Sequence, residues 1–253
     1  MELHTAILEL EFKMSLNGKT ILITGSARRI GREFALAAAG AGANVIVHHG
    51  HSPKEAEKTA RDIEATGSHA WILQADLENP DQASDLIDRA WKISPLFALV
   101  NSAAIFEPLS FHQTSFADWQ RNLAINLTAP FLLSQSFSRL LAQGSEGRII
   151  NILDWRALRP GSDHFPYTIS KAALADLTRS LAVSLAPNII VNGLALGAVL
   201  PPRGGGSPDI LNTIPAKRWA TMEELHQAFL FLLEGPAYIS GEIIHLDGGR
   251  HLV

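Results

Sequence analysis

Short runs of β-branched and other apolar residues alternate along this chain with longer stretches in which apolar positions recur every three or four residues. The short runs read as buried strands and the longer ones as amphipathic helices. Strands are predicted over Thr20 to Thr24, Asn44 to His48, Ala70 to Gln74, Leu96 to Asn101, Arg148 to Leu153, Asn188 to Leu194 and Glu242 to Leu246. Helices are predicted near residues 29–41, 53–66, 80–92, 118–143, 164–185 and 221–234, with Asp118 and Thr221 as N-caps. This alternation specifies an α/β fold, a single-domain, doubly wound, parallel seven-stranded sheet flanked by helices, rather than a sandwich. Ligands of such sheets bind outside the C-terminal strand ends, so the chemistry belongs there.

The sheet-forming pattern begins only after Met14, where SLNGKTILITG follows, so residues 1–14 are treated as an N-terminal extension of unknown role and 15–253 as the domain. A Gly/Pro-rich stretch, Pro201 to Pro208, lacks apolar periodicity and is expected to be a mobile lid segment; the alternative is an exposed connector. Hydrophobic residues at 47% against 18% charged supply a core and exclude a disordered chain. A net charge of −4 argues against nucleic-acid partners. The absence of cysteine excludes disulfides, thiol catalysis and thiolate metal sites. The longest apolar stretches, such as Ala228 to Leu233, fall far short of the ~20 residues of a membrane helix. The N-terminus does not read as a secretory signal, so a cytoplasmic location is expected.

The first strand runs into Thr24-Gly25-Ser26-Ala27-Arg28-Arg29-Ile30-Gly31 and then a helix. Gly25 permits a tight turn and Gly31 close helix packing, while the helix N-terminus offers N–H groups and a positive dipole end to a pyrophosphate. A Rossmann-type dinucleotide site is expected here. The second strand ends in His48-His49-Gly50-His51-Ser52 with no acidic residue for a ribose 2′-OH, which favours NADPH over NADH. Arg28, His51 and Ser52 are the candidates for the 2′-phosphate. His48 and His49 are expected on opposite strand faces, with no carboxylate to complete a set, so no metal is expected.

Tyr167 and Lys171 lie four apart at the start of a predicted helix and share one face. A Lys ammonium beside the phenol is expected to lower its pKa and favour proton exchange with a carbonyl or imine during hydride transfer.

From about Leu16 onward the chain resembles the short-chain dehydrogenase/reductases. The residues that carry this are the TGSARRIG loop, Asp76-Leu77, Asn101-Ser102-Ala103-Ala104, Asn126, the Tyr167-Lys171 pair and Leu246-Asp247-Gly248-Gly249, all in family order. The resemblance implies that Asp76 and Leu77 flank adenine, that Asn101, Ser102 and Ala103 line the cofactor by their backbone, and that Gly197 contributes to its site. It implies further that Lys171 bonds the nicotinamide ribose, that Asn126 holds a proton-relay water, and that the protein is a homotetramer.

Departures from the family pattern are informative. Arg29 stands where the family has Gly, and Asp154, thirteen residues before Tyr167, stands where it has a catalytic Ser. Both changes, with Phe106, resemble the pteridine reductase branch, in which an Arg enters the substrate cleft and an aromatic ring sandwiches the pterin. Arg29, Phe106, Asp154 and Tyr167 are therefore the candidate substrate-binding residues, and Asp154, Tyr167, Lys171 and Asn126 the candidate catalytic ones. A flat, polar-edged pterin suits an aromatic face and a guanidinium. The function expected is NADPH-dependent reduction of a dihydropterin. Reduction of another carbonyl substrate, such as a 3-oxoacyl thioester, sugar or quinone, and a non-catalytic NADPH-sensing protein, remain open. Arg156 and Arg159 read either as surface charges or as the receptor of an acidic substrate tail.

Overall fold

The computed structural model describes residues 16–141, 145–200 and 208–253. The extension at 1–14 and most of the expected lid, residues 201–207, lie outside the described residues. Seven strands form one parallel sheet in the order β3-β2-β1-β4-β5-β6-β7. They are β1 (Thr20–Ile23), β2 (Asn44–His49), β3 (Ala70–Gln74), β4 (Leu96–Asn101), β5 (Gly147–Asp154), β6 (Ile189–Leu196) and β7 (Ile243–Leu246). Each matches a predicted strand to within two residues at either end. The chain reverses its direction of travel across the sheet between β1 and β4, and that switch point opens a crevice at their C-terminal ends.

Side-chain alternation divides the core. Ile21 and Ile23 face one layer, with α1 (Arg29–Gly40), α2 (Pro53–Glu64) and α7 (Met222–Glu234). Leu22 faces the other, with α3 (Pro80–Ile93) and α5 (Ala129–Leu140). The 20-residue α6 (Phe165–Ser184) packs beside β5 and β6. Because the central strands are covered on both faces, they read as continuous apolar runs rather than alternating ones.

The long predicted helix over 118–143 is interrupted. It begins as α4 (Phe116–Leu123), widens to a π-turn over Ala124–Thr128, continues as α5 and ends at Leu140. Its N-cap is Ser115, not Asp118: Asp118 is the third helical residue and completes a capping box, its carboxylate accepting from the Ser115 N–H at 3.0 Å. The Ser115-x-x-Asp118 box thus sets the cap three residues before the expected one. Thr221 does cap α7, accepting from the Glu224 N–H.

The Phe34 and Phe229 rings stack at 4.5 Å, pinning α1 to α7 behind the crevice, and both are fully buried. Phe229→Ala is expected to cost about 3–5 kcal/mol, read as a lower urea midpoint at unchanged slope.

Candidate active site

Between β1 and α1 the chain passes so close to the β4 end that side chains are excluded. Gly25 has φ +67°, and a Cβ there would lie 2.8 Å from Ala103 Cα; a Cβ on Gly31 would lie 2.4 Å from the Gly25 carbonyl oxygen. Thr24 locks the approach, its hydroxyl accepting from the Ser102 and Ala103 N–H groups at 2.9 and 3.0 Å. No side chain caps α1 and its first turn carries no acid, so its N-terminal dipole end is left for an anion.

His48 is a further fastener of this loop. Its Nδ1 accepts from the Gly25 N–H at 3.0 Å, so Nε2 carries the proton and donates to the Ala75 carbonyl at 3.1 Å. Burial holds its pKa down at about 4, keeping it neutral. His48 and His49, the last two residues of β2, are both buried and both border the crevice at the strand ends. Among the described residues no cluster of His, Asp or Glu is suited to a metal.

A cleft of about 530 Å³ runs along these strand ends. Its loop end is bordered by Arg28, Arg29, His51, Ser52, Asp76 and Leu77, and its far end by Phe106, Asp154, Tyr167, Lys171 and Gly197. Ile30, Ser102 and Ala103 also border it, whereas Asn101 does not. The Asn101 amide turns inward and donates to Asn151 at 2.8 Å, and Asn151 donates on to Thr178. The cleft fits an extended dinucleotide by its missing Cβ atoms, its uncapped helix end and the unpartnered His49 Nδ1.

At the far end, the Tyr167 hydroxyl donates to Asp154 Oδ2 at 3.1 Å. Lys171 donates to the Ile152 carbonyl at 2.7 Å, and its Nζ is 5.8 Å from the Tyr167 ring. The expected lowering of the phenol pKa is overturned here. Burial first, then the charge of Asp154 and its hydrogen bond, push Tyr167 well above the usual phenol value. Burial lowers Lys171 to about 8, against the opposing pull of Asp154. A buried phenol beside a carboxylate is held protonated, as a donor.

Asn126 sits in the π-turn, fully buried, with its side chain committed: it accepts from the Ile105 N–H and donates to the Ile105 carbonyl and to Ser170 Oγ. Its amide therefore braces the loop leading to Phe106. Phe106 is half exposed and not part of the core. Its ring stacks on His164 at 3.8 Å and meets Tyr167 nearly at right angles at 4.6 Å. His164 also contacts Asp163 through Nδ1 at 3.0 Å, and Asp163 accepts from Arg156 at 2.8 Å. Burial opposes the ionisation of Asp163, yet Arg156 and His164 outweigh it and hold the carboxyl below its ordinary value. Arg156 returns to Asp154, its backbone N–H donating at 2.9 Å and its guanidinium 3.7 Å away. His48, Thr24, His164 and Ser170 are absent from the candidate site residues read from the sequence, because the partners that bring them to the site lie 23 to 79 residues away.

A profile of the short chain dehydrogenase family matches residues 19–206. The chain belongs to that family. Over 93% of its length it is 32% identical to the 3-oxoacyl-[acyl-carrier-protein] reductase of Synechocystis sp., covering 98% of that protein. It is 33% identical to the 2-dehydro-3-deoxy-D-gluconate 5-dehydrogenase of Bacillus subtilis, with 93% and 95% covered. Among solved structures, the FolM alternative dihydrofolate reductase 1 of Brucella canis complexed with NADP superposes with a TM-score of 0.88 at 33% identity, covering 95% of this chain and 96% of that one. Two features of this short chain dehydrogenase are testable at the loop.

Arg29 has φ +54°, the left-handed conformation that suits the glycine usual at this position. Arg29→Gly is expected to raise stability by about 1 kcal/mol while weakening substrate or cofactor binding, as measured by chemical unfolding and by titration. His48 binds a proton in the unfolded chain below 6.5 but in the folded one only below about 4. Its contribution is thus fully present above pH 6.5 and lost as pH falls toward 4, about 3 kcal/mol in all. Unfolding curves across this window should show that slope, and His48→Gln should flatten it.

Proposed function

We propose that this chain is an NADPH-dependent reductase of a dihydropterin. The observation that carries the reading is the Tyr167–Asp154 contact beside the Phe106 ring, in a cleft whose loop end carries Arg28 and Arg29. NADP accompanies the similar FolM structure, and the end of β2 offers Arg28, His51 and Ser52 with no carboxylate among residues 44–52. The 2′-phosphate would be held by these three, the pyrophosphate by the α1 N-terminus with Ile30 and Gly31, and adenine beside Asp76 and Leu77.

When bound, NADPH supplies the hydride. Phe106 offers a flat ring its open face, and Arg29 offers a planar fork of donors to ring nitrogen, carbonyl or cofactor phosphate. Tyr167, held protonated, gives its hydroxyl proton to the substrate nitrogen as that nitrogen gains the electron pair of the reduced C=N bond. Asp154, partly exposed at 17%, takes a proton from solvent and returns it to the phenolate. Lys171, its Nζ 5.8 Å from the Tyr167 ring, would bond the cofactor ribose. A serine at 154 would orient a ketone without carrying a proton through, which is why the carboxyl favours a pterin. The relatives named above support a second reading, reduction of a 3-oxoacyl thioester or a keto sugar acid on the same cofactor site.

The deciding assay follows NADPH oxidation with dihydrobiopterin or dihydromonapterin in parallel with an acetoacetyl thioester. Turnover of the dihydropterin with NADPH preferred over NADH is expected, and Asp154→Ser should lower kcat at least tenfold without changing the NADPH dissociation constant. Turnover of the thioester alone would replace the pterin reading with the second one.

A further inference from the structure

The residue after Asp154, Trp155, is contacted by two guanidinium groups. Arg250 Cζ lies 4.1 Å from its ring centroid and Arg156 Cζ 4.8 Å. A third, Arg159, donates to the Arg250 carbonyl at 3.3 Å. Three cations thus converge where the short turn after β5 meets the C-terminal turn Arg250–Leu252.

Three carboxylates lie nearby, each with partners of its own. Asp163 accepts from Arg156 and contacts His164. Asp154 accepts from Tyr167 and from the Arg156 backbone. Asp247, nearly buried, accepts from the Gly249 and His251 N–H groups and contacts the His251 ring, which stacks on His245. Among the described residues no carboxylate lies within 4 Å of the Arg250 or Arg159 guanidinium, and the Nε atoms of Arg156 and Arg250 are buried without partners. Burial and the neighbouring Arg156 push Arg250 below its ordinary pKa, against Asp154, Asp163 and Asp247. Arg156 is thus paired, whereas the Arg250 guanidinium, charged throughout, rests against the indole face with no carboxylate in direct contact among the described residues.

The reacting centre is next door. Arg156 Nη1 faces one oxygen of Asp154, and Tyr167 bonds the other, so one carboxylate's width separates the cluster from the proton donor.

We propose that Arg250, with Arg156 across Trp155, forms a carboxylate subsite, and that the natural substrate bears a carboxylate group beyond its reducible bond. The placement rests on the reading above only in setting the reacting atom at Tyr167. A guanidinium on a partly buried face binds a carboxylate by charge-assisted, bidentate hydrogen bonds, so replacing Arg250 removes the anion's main donors. The carboxylate can come from the glutamate tail of a folate-like pterin or from a sugar acid.

The test uses the full chain saturated with NADPH. Calorimetric titration with N-(4-aminobenzoyl)-L-glutamate and, separately, with D-gluconate should detect binding of one of them, weakened at least tenfold in Arg250→Gln and partly restored in Arg250→Lys. The ligand that binds identifies the source of the carboxylate. In turnover, the ratio of kcat/KM for dihydrofolate to that for carboxylate-free dihydrobiopterin should fall at least tenfold in Arg250→Gln. Circular dichroism of both variants checks the fold. Binding of neither carboxylate to the unaltered protein, or equal binding to Arg250→Gln, overturns the subsite. Arg250-dependent carboxylate binding without turnover of any dihydropterin supports the subsite and overturns the pterin reading instead.

Discussion

The close passage of the β1–α1 turn over the β4 end is the constraint on which the rest of the site depends. There is no space for a Cβ on Gly25 or Gly31, so backbone packs directly on backbone and α1 enters with its N–H groups aimed into the cleft. Thr24 ties that turn to β4 and His48 ties it to β2 and, through Ala75, to the end of β3. Four strand ends are thereby held in register around one loop. The neutrality of His48 is part of this arrangement: a second proton would remove the acceptor that Gly25 needs.

The far end of the cleft is organised differently, by a closed ring of side chains instead of by backbone packing. His164, Asp163, Arg156, Asp154, Tyr167 and Phe106 each touch the next, and Phe106 returns to His164. Such a ring couples the orientation of the exposed aromatic plate to the carboxylate beside the phenol. Its anchor is the start of α6, where His164 holds a left-handed backbone conformation with φ +51°. Together with Arg29, that places two left-handed non-glycine residues beside the one cleft, a concentration of local strain typical of functional sites.

The layers behind the cleft keep both ends rigid. α1 and α7 share the Phe34–Phe229 stack on one face, while α3 and α5 pack on the other. The π-turn between α4 and α5 buries Asn126 against Ile105, so the loop that carries Phe106 hangs from a helix core rather than from solvent. Among the described residues no helix is long and apolar enough to cross a membrane.

What the sequence determined by itself was whatever depends on local period and steric demand. Seven apolar runs, glycines at 25 and 31 and the Tyr167-Lys171 spacing specified the sheet, the tight β1–α1 turn and a Tyr–Lys pair on one helix face, because strand and helix periods are properties of neighbouring residues. Tertiary structure alone decided the rest. Burial beside Asp154 raises the Tyr167 pKa where a lysine neighbour alone suggested lowering, since desolvation depends on what surrounds a group and not on its spacing. The role of His48, the break in the long helix, the inward turn of Asn101 and the meeting of Arg250 with Trp155 across 95 positions likewise arise from contacts between distant segments. No periodicity encodes them, because the partners become neighbours only when the sheet closes.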